Sequence, residues 1–118
     1  MKLNHINLTV NDVIATRRFL EKYFGLRSRE GAKENPGFDM LADDNDMVIT
    51  LIKGRNGTEV EYPYTFHIGF IQPSEEAVNQ INQRLKEDGY EVDTPQRLHG
   101  SWTFYFKCPG GFTIEVLA

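Results

Sequence analysis

Leucine, isoleucine and valine alternate with polar residues through "LNHINLTV", a period of two that predicts a strand over residues 3–10. From about residue 12 the period changes. Val13, Thr16, Leu20 and Tyr23 with Phe24 recur at three- and four-residue spacing, which predicts an amphipathic helix over 12–24 closed by Gly25, with Arg17, Arg18, Glu21 and Lys22 turned mostly to water. Residues 27–37 are polar and interrupted by Gly31 and Pro36-Gly37, so they read as a weak strand and loop. "FDML" and "MVITLIKG" then form two strands around the turn "ADDND".

The second half repeats this order. "TFHIGFI" is a strand, and Pro73-Ser74 opens a helix whose stripe is Val78, Ile81 and Leu85 and which Gly89 stops. Three strands follow, "YEVDTPQ", "SWTFYFK" and "FTIEVLA", with the turn "CPGG" between the last two. His5 and His67 stand 62 residues apart, and "DMLADDNDMVITL" overlays "FYFKCPGGFTIEV" at an offset of 65, strand on strand and turn on turn. The expectation is an α+β domain over 1–118 built from two βαβββ modules, about 1–56 and 64–118, joined by a linker in "GRNGTEVEYPY". Neither module alone is long enough to make a secure domain.

Composition and charge remove several classes of function. A net charge of −4 and no basic run longer than Arg17-Arg18 leave no electrostatic footprint for nucleic acid or an anionic membrane. The single cysteine, Cys108, excludes an internal disulfide framework and reads as a buried thiol, which fits a reducing cytosol. The opening residues lack the apolar core and cleavage site of a secretion signal, and no apolar run is long enough to span a bilayer, so a cytoplasmic protein is expected.

Strand alternation places His5, Asn7 and Thr9 on one face and Ile6, Leu8 and Val10 on the other, which must meet the helix. By the same rule His67 and Gly69 point away from the side of Phe66, Ile68 and Phe70, and Glu115 points away from the side of Ile114 and Val116. Each of His5, His67 and Glu115, taken singly, suits a polar residue on a wet sheet face. The two histidines at matching places in the two repeats and the lone Glu of the last strand converge if the two sheets curl toward each other, and two imidazoles and a carboxylate with positions left open would then suit iron, manganese, nickel or zinc. His99, in the Gly-containing loop "QRLHGSWTF", is either a surface residue or a proton shuttle at a pocket rim. Phe38 and Met40 correspond in the repeat to Thr103 and Tyr105, and serve either as an apolar pocket wall or as core. "DDND" lacks the spacing of a calcium loop and reads as a solvated turn.

"LNHINLTVND" followed by a helix, "FHIGF" and "FYFKCPGGFTIEV" resemble the vicinal oxygen chelate superfamily, which includes glyoxalase I, extradiol dioxygenases, fosfomycin-resistance thiol transferases and bleomycin-binding proteins. The resemblance spans nearly the whole chain. It implies a glyoxalase-like fold curled around a cavity, with metal ligands at His5, His67 and Glu115, while the position of a fourth, carboxylate ligand in glyoxalase I falls on Thr50. The remaining two-His-one-Glu pattern is similar to the dioxygenases and the fosfomycin enzymes. Asn7 stands where the fosfomycin enzymes have threonine, whereas Thr103 and Tyr105 match their hydroxyl positions.

The resemblance further implies a small-molecule substrate bound through neighbouring oxygens, with lyase, isomerase, thiol-transfer or dioxygen chemistry, a thiol cosubstrate in some members, and a homodimer. Glu115, Tyr105 and His99 are the expected catalytic groups. Asn7, Thr50, Thr103, Tyr105, Phe38 and Met40 are the expected substrate contacts. A metal-free protein that sequesters a small cationic or aromatic compound is the rival expectation.

Overall fold

The N-terminal alternation forms β1 (His5–Val10), two residues shorter than expected because Leu3 is 78% exposed and gains nothing by pairing. A computed structural model, describing residues 1–55 and 59–118, divides the chain into two units, Met1–Glu61 with Pro109–Gly111 and Tyr62–Cys108 with Phe112–Ala118. Residues 56–58 of the expected linker lie outside the described residues.

In the first unit α1 (Val13–Phe24) starts where the Asp12 carboxylate accepts from Ala15 N, and it stops at Gly25, whose φ of 66° suits a residue without Cβ. β2 (Arg27–Ser28), β3 (Phe38–Ala42) and β4 (Val48–Lys53) complete a sheet of order β1-β4-β3-β2, parallel between β1 and β4 and antiparallel elsewhere. Leu8, Val10, Leu41 and Leu51 meet the helix residues Val13, Phe19, Leu20 and Tyr23 in the core.

The helix departs from expectation at Arg17, which is buried instead of turned to water. Its guanidinium donates to Asp39 Oδ2 at 3.0 Å, to Glu21 Oε1 at 3.0 Å and to the carbonyls of Lys33 and Gly31. Asp39, fully buried, also accepts from Ser28 Oγ and Met40 N through Oδ1. A buried ion pair is tolerable when its remaining donors and acceptors are satisfied, and here the satisfied donors fasten the loop that separates β2 from β3.

The second unit repeats the frame with β5 (His67–Ile71), α2 (Glu75–Glu87), β6 (Gln96–Leu98), β7 (Ser101–Lys107) and β8 (Thr113–Leu117), in the order β5-β8-β7-β6. Ser74 caps α2 by accepting from Ala77 N. Val78, Ile81 and Leu85 are buried, as are Phe104, Phe106, Phe112, Ile114 and Val116. The strand expected across "YEVDTPQ" is confined to its last residue and the two that follow. Asp93 is instead held singly, its N–H donating to Tyr105 O and its carbonyl accepting from Asn82 Nδ2, and Pro95 has no N–H to offer a ladder. The two βαβββ repeats are therefore present, each making its own four-stranded mixed sheet.

Candidate functional site

Parallel pairing of β5 with β8 sets Gly69 opposite Glu115, and antiparallel pairing of β7 with β8 sets Tyr105 on the other side of Glu115. The carboxylate is thus the middle of a row. Its Oε1 accepts from the Tyr105 hydroxyl at 2.8 Å and lies 2.9 Å from Thr103 Oγ1, whose single proton is shared with the carbonyl of Val116 at 3.0 Å. Its Oε2 faces His67 Nε2 at 3.4 Å. Gly69 lies beside this oxygen, and a Cβ there would stand 3.7 Å from Oε2, in ordinary van der Waals contact.

The protonation of His67 follows from its other nitrogen. Nδ1 lies 3.0 Å from the backbone carbonyl of Thr65, which can only accept, so Nδ1 carries the hydrogen. In the neutral ring, Nε2 then presents a lone pair to a carboxylate oxygen. A lone pair on Nε2 and a carboxylate oxygen 3.4 Å apart together make a favourable place for a cation, either a proton on the imidazole or a metal ion. The donor set, an imidazole oriented from behind by a backbone carbonyl and a carboxylate oriented by two hydroxyls, fits a divalent ion of the first transition series.

Tyr105 also sets its ring edge to face against His67, with centroids 5.5 Å apart. Burial first, then the hydrogen bond to Glu115 and the charge on that carboxylate, raise the phenol above its ordinary value, so it remains a donor. Thr103 is fully buried beneath the row. A cleft of about 1060 Å³ opens beside it, lined by Tyr64, Phe66, His67, Tyr90, His99 and Tyr105 among others. His99 reaches that rim because Leu98 pairs with Ser101 and leaves His99 and Gly100, both at positive φ, as a two-residue hairpin turn.

The expected residues of the first unit occupy the corresponding row. Asn7, Thr50 and Met40 sit side by side across β1, β4 and β3, and Phe38 pairs with Ile52. His5 is exposed, with Nδ1 3.0 Å from Asn4 Oδ1, an arrangement that frees Nε2 as at His67. Among the described residues no group of three or more His, Cys, Asp or Glu is arranged to hold a metal ion, so His67 and Glu115 meet as a pair.

A family model for the Glyoxalase/Bleomycin resistance protein/Dioxygenase superfamily matches residues 2–116. The chain belongs to this superfamily. Among solved structures similar to this superfamily member is one described as a possible glyoxalase from Bacillus cereus, 52% identical, with a TM-score of 0.89 over 100% of this chain and 99% of that one. The fosfomycin resistance protein FosX from Listeria monocytogenes, complexed with Mn(II) and sulfate, is 23% identical with a TM-score of 0.78 over 99% of this chain and 89% of that one. Lactoylglutathione lyase from Agrobacterium tumefaciens is 17% identical with a TM-score of 0.74 over 98% and 92% of the two chains. A comparison with curated proteins gives no match. At such identities the last two structures share the superfamily fold and carry no residue roles to this chain.

Alternation puts Gly69 on the face of His67 but does not reveal its place opposite Glu115, and it gives no sign of the Thr65 carbonyl behind the imidazole. A glycine within "HIGFI" was the available signal, because glycine inside a strand marks a close approach. No signal in the segment 89–93 announced that it would wall the cleft.

Proposed function

We propose that this superfamily member is a divalent-metal-dependent enzyme acting on a small molecule through two neighbouring oxygens, with His5, His67 and Glu115 as the ligands. The observation that carries this reading is the opposition of His67 Nε2 and Glu115 Oε2 at 3.4 Å, each held by hydrogen bonds behind it. His5, from the same chain or from a second copy in a homodimer, supplies the third donor. When bound, the ion supplies Lewis acidity toward the substrate oxygens. The Mn(II) held by Listeria FosX supports manganese as the first ion to try, ahead of nickel, zinc and iron(II).

The chain's own residues do the rest. The cleft aromatics Tyr64, Phe66 and Tyr90 take the body of the substrate, and His99 at the rim exchanges protons with it. In the first repeat, Asn7, Thr50, Phe38 and Met40 are the corresponding candidates for substrate contact. The chemistry is of the lyase or isomerase, thiol-transferase or dioxygenase kind, with a thiol cosubstrate in the transferase case, in a cytoplasmic protein. The test is metal content after purification without chelator, followed by titration of stripped protein and of His67→Ala. Near-stoichiometric binding by the wild type, lost in the variant, is expected. A wild type that binds none of the four ions overturns the reading.

One observation favours a second reading, a metal-free binding protein. The aromatic cleft also carries Glu91 and Asp93, a lining suited to a flat, cationic compound. Calorimetric binding of such a compound by stripped protein, unchanged in His67→Ala, would select it.

A further inference from the structure

Tyr105 and Thr103 look at first like hydroxyls for a substrate, but both point at the same oxygen of Glu115. We propose that they are positioning residues that occupy Oε1, so that Glu115 offers an incoming metal ion Oε2 alone. This rests on the metal-dependent reading above and adds to it which carboxylate oxygen binds and what selects it.

Three features carry the assignment. Glu115 lies in a strand between two neighbours, so its side chain has freedom only to rotate about its own bonds, and an unrestrained carboxylate could turn either oxygen or both toward His67. The Tyr105 hydroxyl, at 2.8 Å, has no other acceptor among the described residues and gives Oε1 its whole proton, whereas Thr103 divides its proton between Oε1 and Val116 O. Finally, Thr103 is fully buried, which removes it from contact with a ligand in the cleft, and its one polar atom is consumed inside the protein. Oxygen atoms that accept such bonds are less available as ligands, and the carboxylate plane is fixed with its free edge toward Nε2. Tyr105 therefore acts more strongly than Thr103.

Cobalt(II) is the probe, titrated into stripped full-length protein and into Tyr105→Phe, Thr103→Val and Thr103→Ser, with the visible absorption of the bound ion recorded. Loss of a partner that orients a metal ligand weakens binding by about 10- to 100-fold. Tyr105→Phe is expected in that range with a changed cobalt spectrum, Thr103→Val at its lower end, and Thr103→Ser close to wild type. A melting temperature held in each variant separates positioning from damage to the fold. Wild-type binding with Tyr105→Phe identical in affinity and spectrum overturns the positioning role while leaving the metal site standing. Absence of binding by the wild type overturns both.

Discussion

At the helix-facing position of its third strand the first unit carries Asp39, and 65 residues later the second unit carries Phe104 at the equivalent place. Both are buried, at 0% and 1% exposure, so one frame accepts an ion pair or a benzene ring in the same slot. On the opposite face the polarity reverses. Thr50 and Met40 occupy in the first unit the places that Glu115 and Tyr105 occupy in the second. The two carboxylates differ in how they are satisfied. Asp39 has permanent donors on both oxygens, from Ser28 and Met40 N on one and Arg17 on the other, which marks it as structural. Glu115 has hydroxyl donors on one oxygen and His67 Nε2 3.4 Å from the other, the arrangement on which its proposed role as a ligand rests.

The largest effect expected is on the buried ion pair. Asp39→Ala strands the Arg17 guanidinium and should cost about 3–5 kcal/mol in denaturant unfolding. Phe104→Ala, which leaves a cavity instead of a charge, should cost a similar amount, about 3–5 kcal/mol. If the frame is as tolerant as the two units imply, Arg17→Met with Asp39→Leu will recover most of the loss, and a double variant as unstable as Asp39→Ala would break the comparison.

Giving the second unit the first unit's residue beside Glu115 tests the other face. Gly69→Asn, which copies Asn7, places a polar side chain beside Oε2 of Glu115, and metal affinity should fall roughly 10-fold or more with unfolding little changed. Smaller effects are expected at features that the two units share. Asp12→Ala and Ser74→Ala each remove an N-cap and should each cost about 1 kcal/mol, measured by chemical denaturation.

The smallest effect is a pH dependence. Because the Tyr105 phenol is raised above its ordinary value, the folded state holds that proton more tightly than the unfolded chain does. The resulting stability is fully present below the ordinary tyrosine range and disappears as pH rises through the raised value. Tyrosinate absorbance of metal-free protein, differenced against Tyr105→Phe, should titrate late, and Glu115→Gln should bring the titration earlier. Met40, the counterpart in the first unit, contributes no such dependence.

Much of the frame was readable because it is written in local periods. The alternation of Ile6, Leu8 and Val10, the three- and four-residue spacing of Val13, Thr16 and Leu20, and the stops at Gly25 and Gly89 depend on neighbours a few residues away. The same alternation placed Glu115 and Tyr105 on one face. Arg17 was misread because its burial depends on Asp39 and on carbonyls of a loop 14 to 16 residues distant, which no helical pattern records. The strand at "YEVDTPQ" was misread because its composition favours pairing while Asp93 is claimed by Asn82 and Tyr105 from elsewhere in the fold.

By itself, then, the sequence determined the order of elements, the face each side chain takes and the repeat that pairs His5 with His67, because these follow from backbone periodicity and steric preference. Only the tertiary structure decided which oxygen of Glu115 is occupied, which nitrogen of His67 is free and that an arginine could be buried. Those are outcomes of distance and direction between groups far apart in the chain, and hydrogen bonds are directional over tenths of an ångström in a way that residue identity alone does not encode.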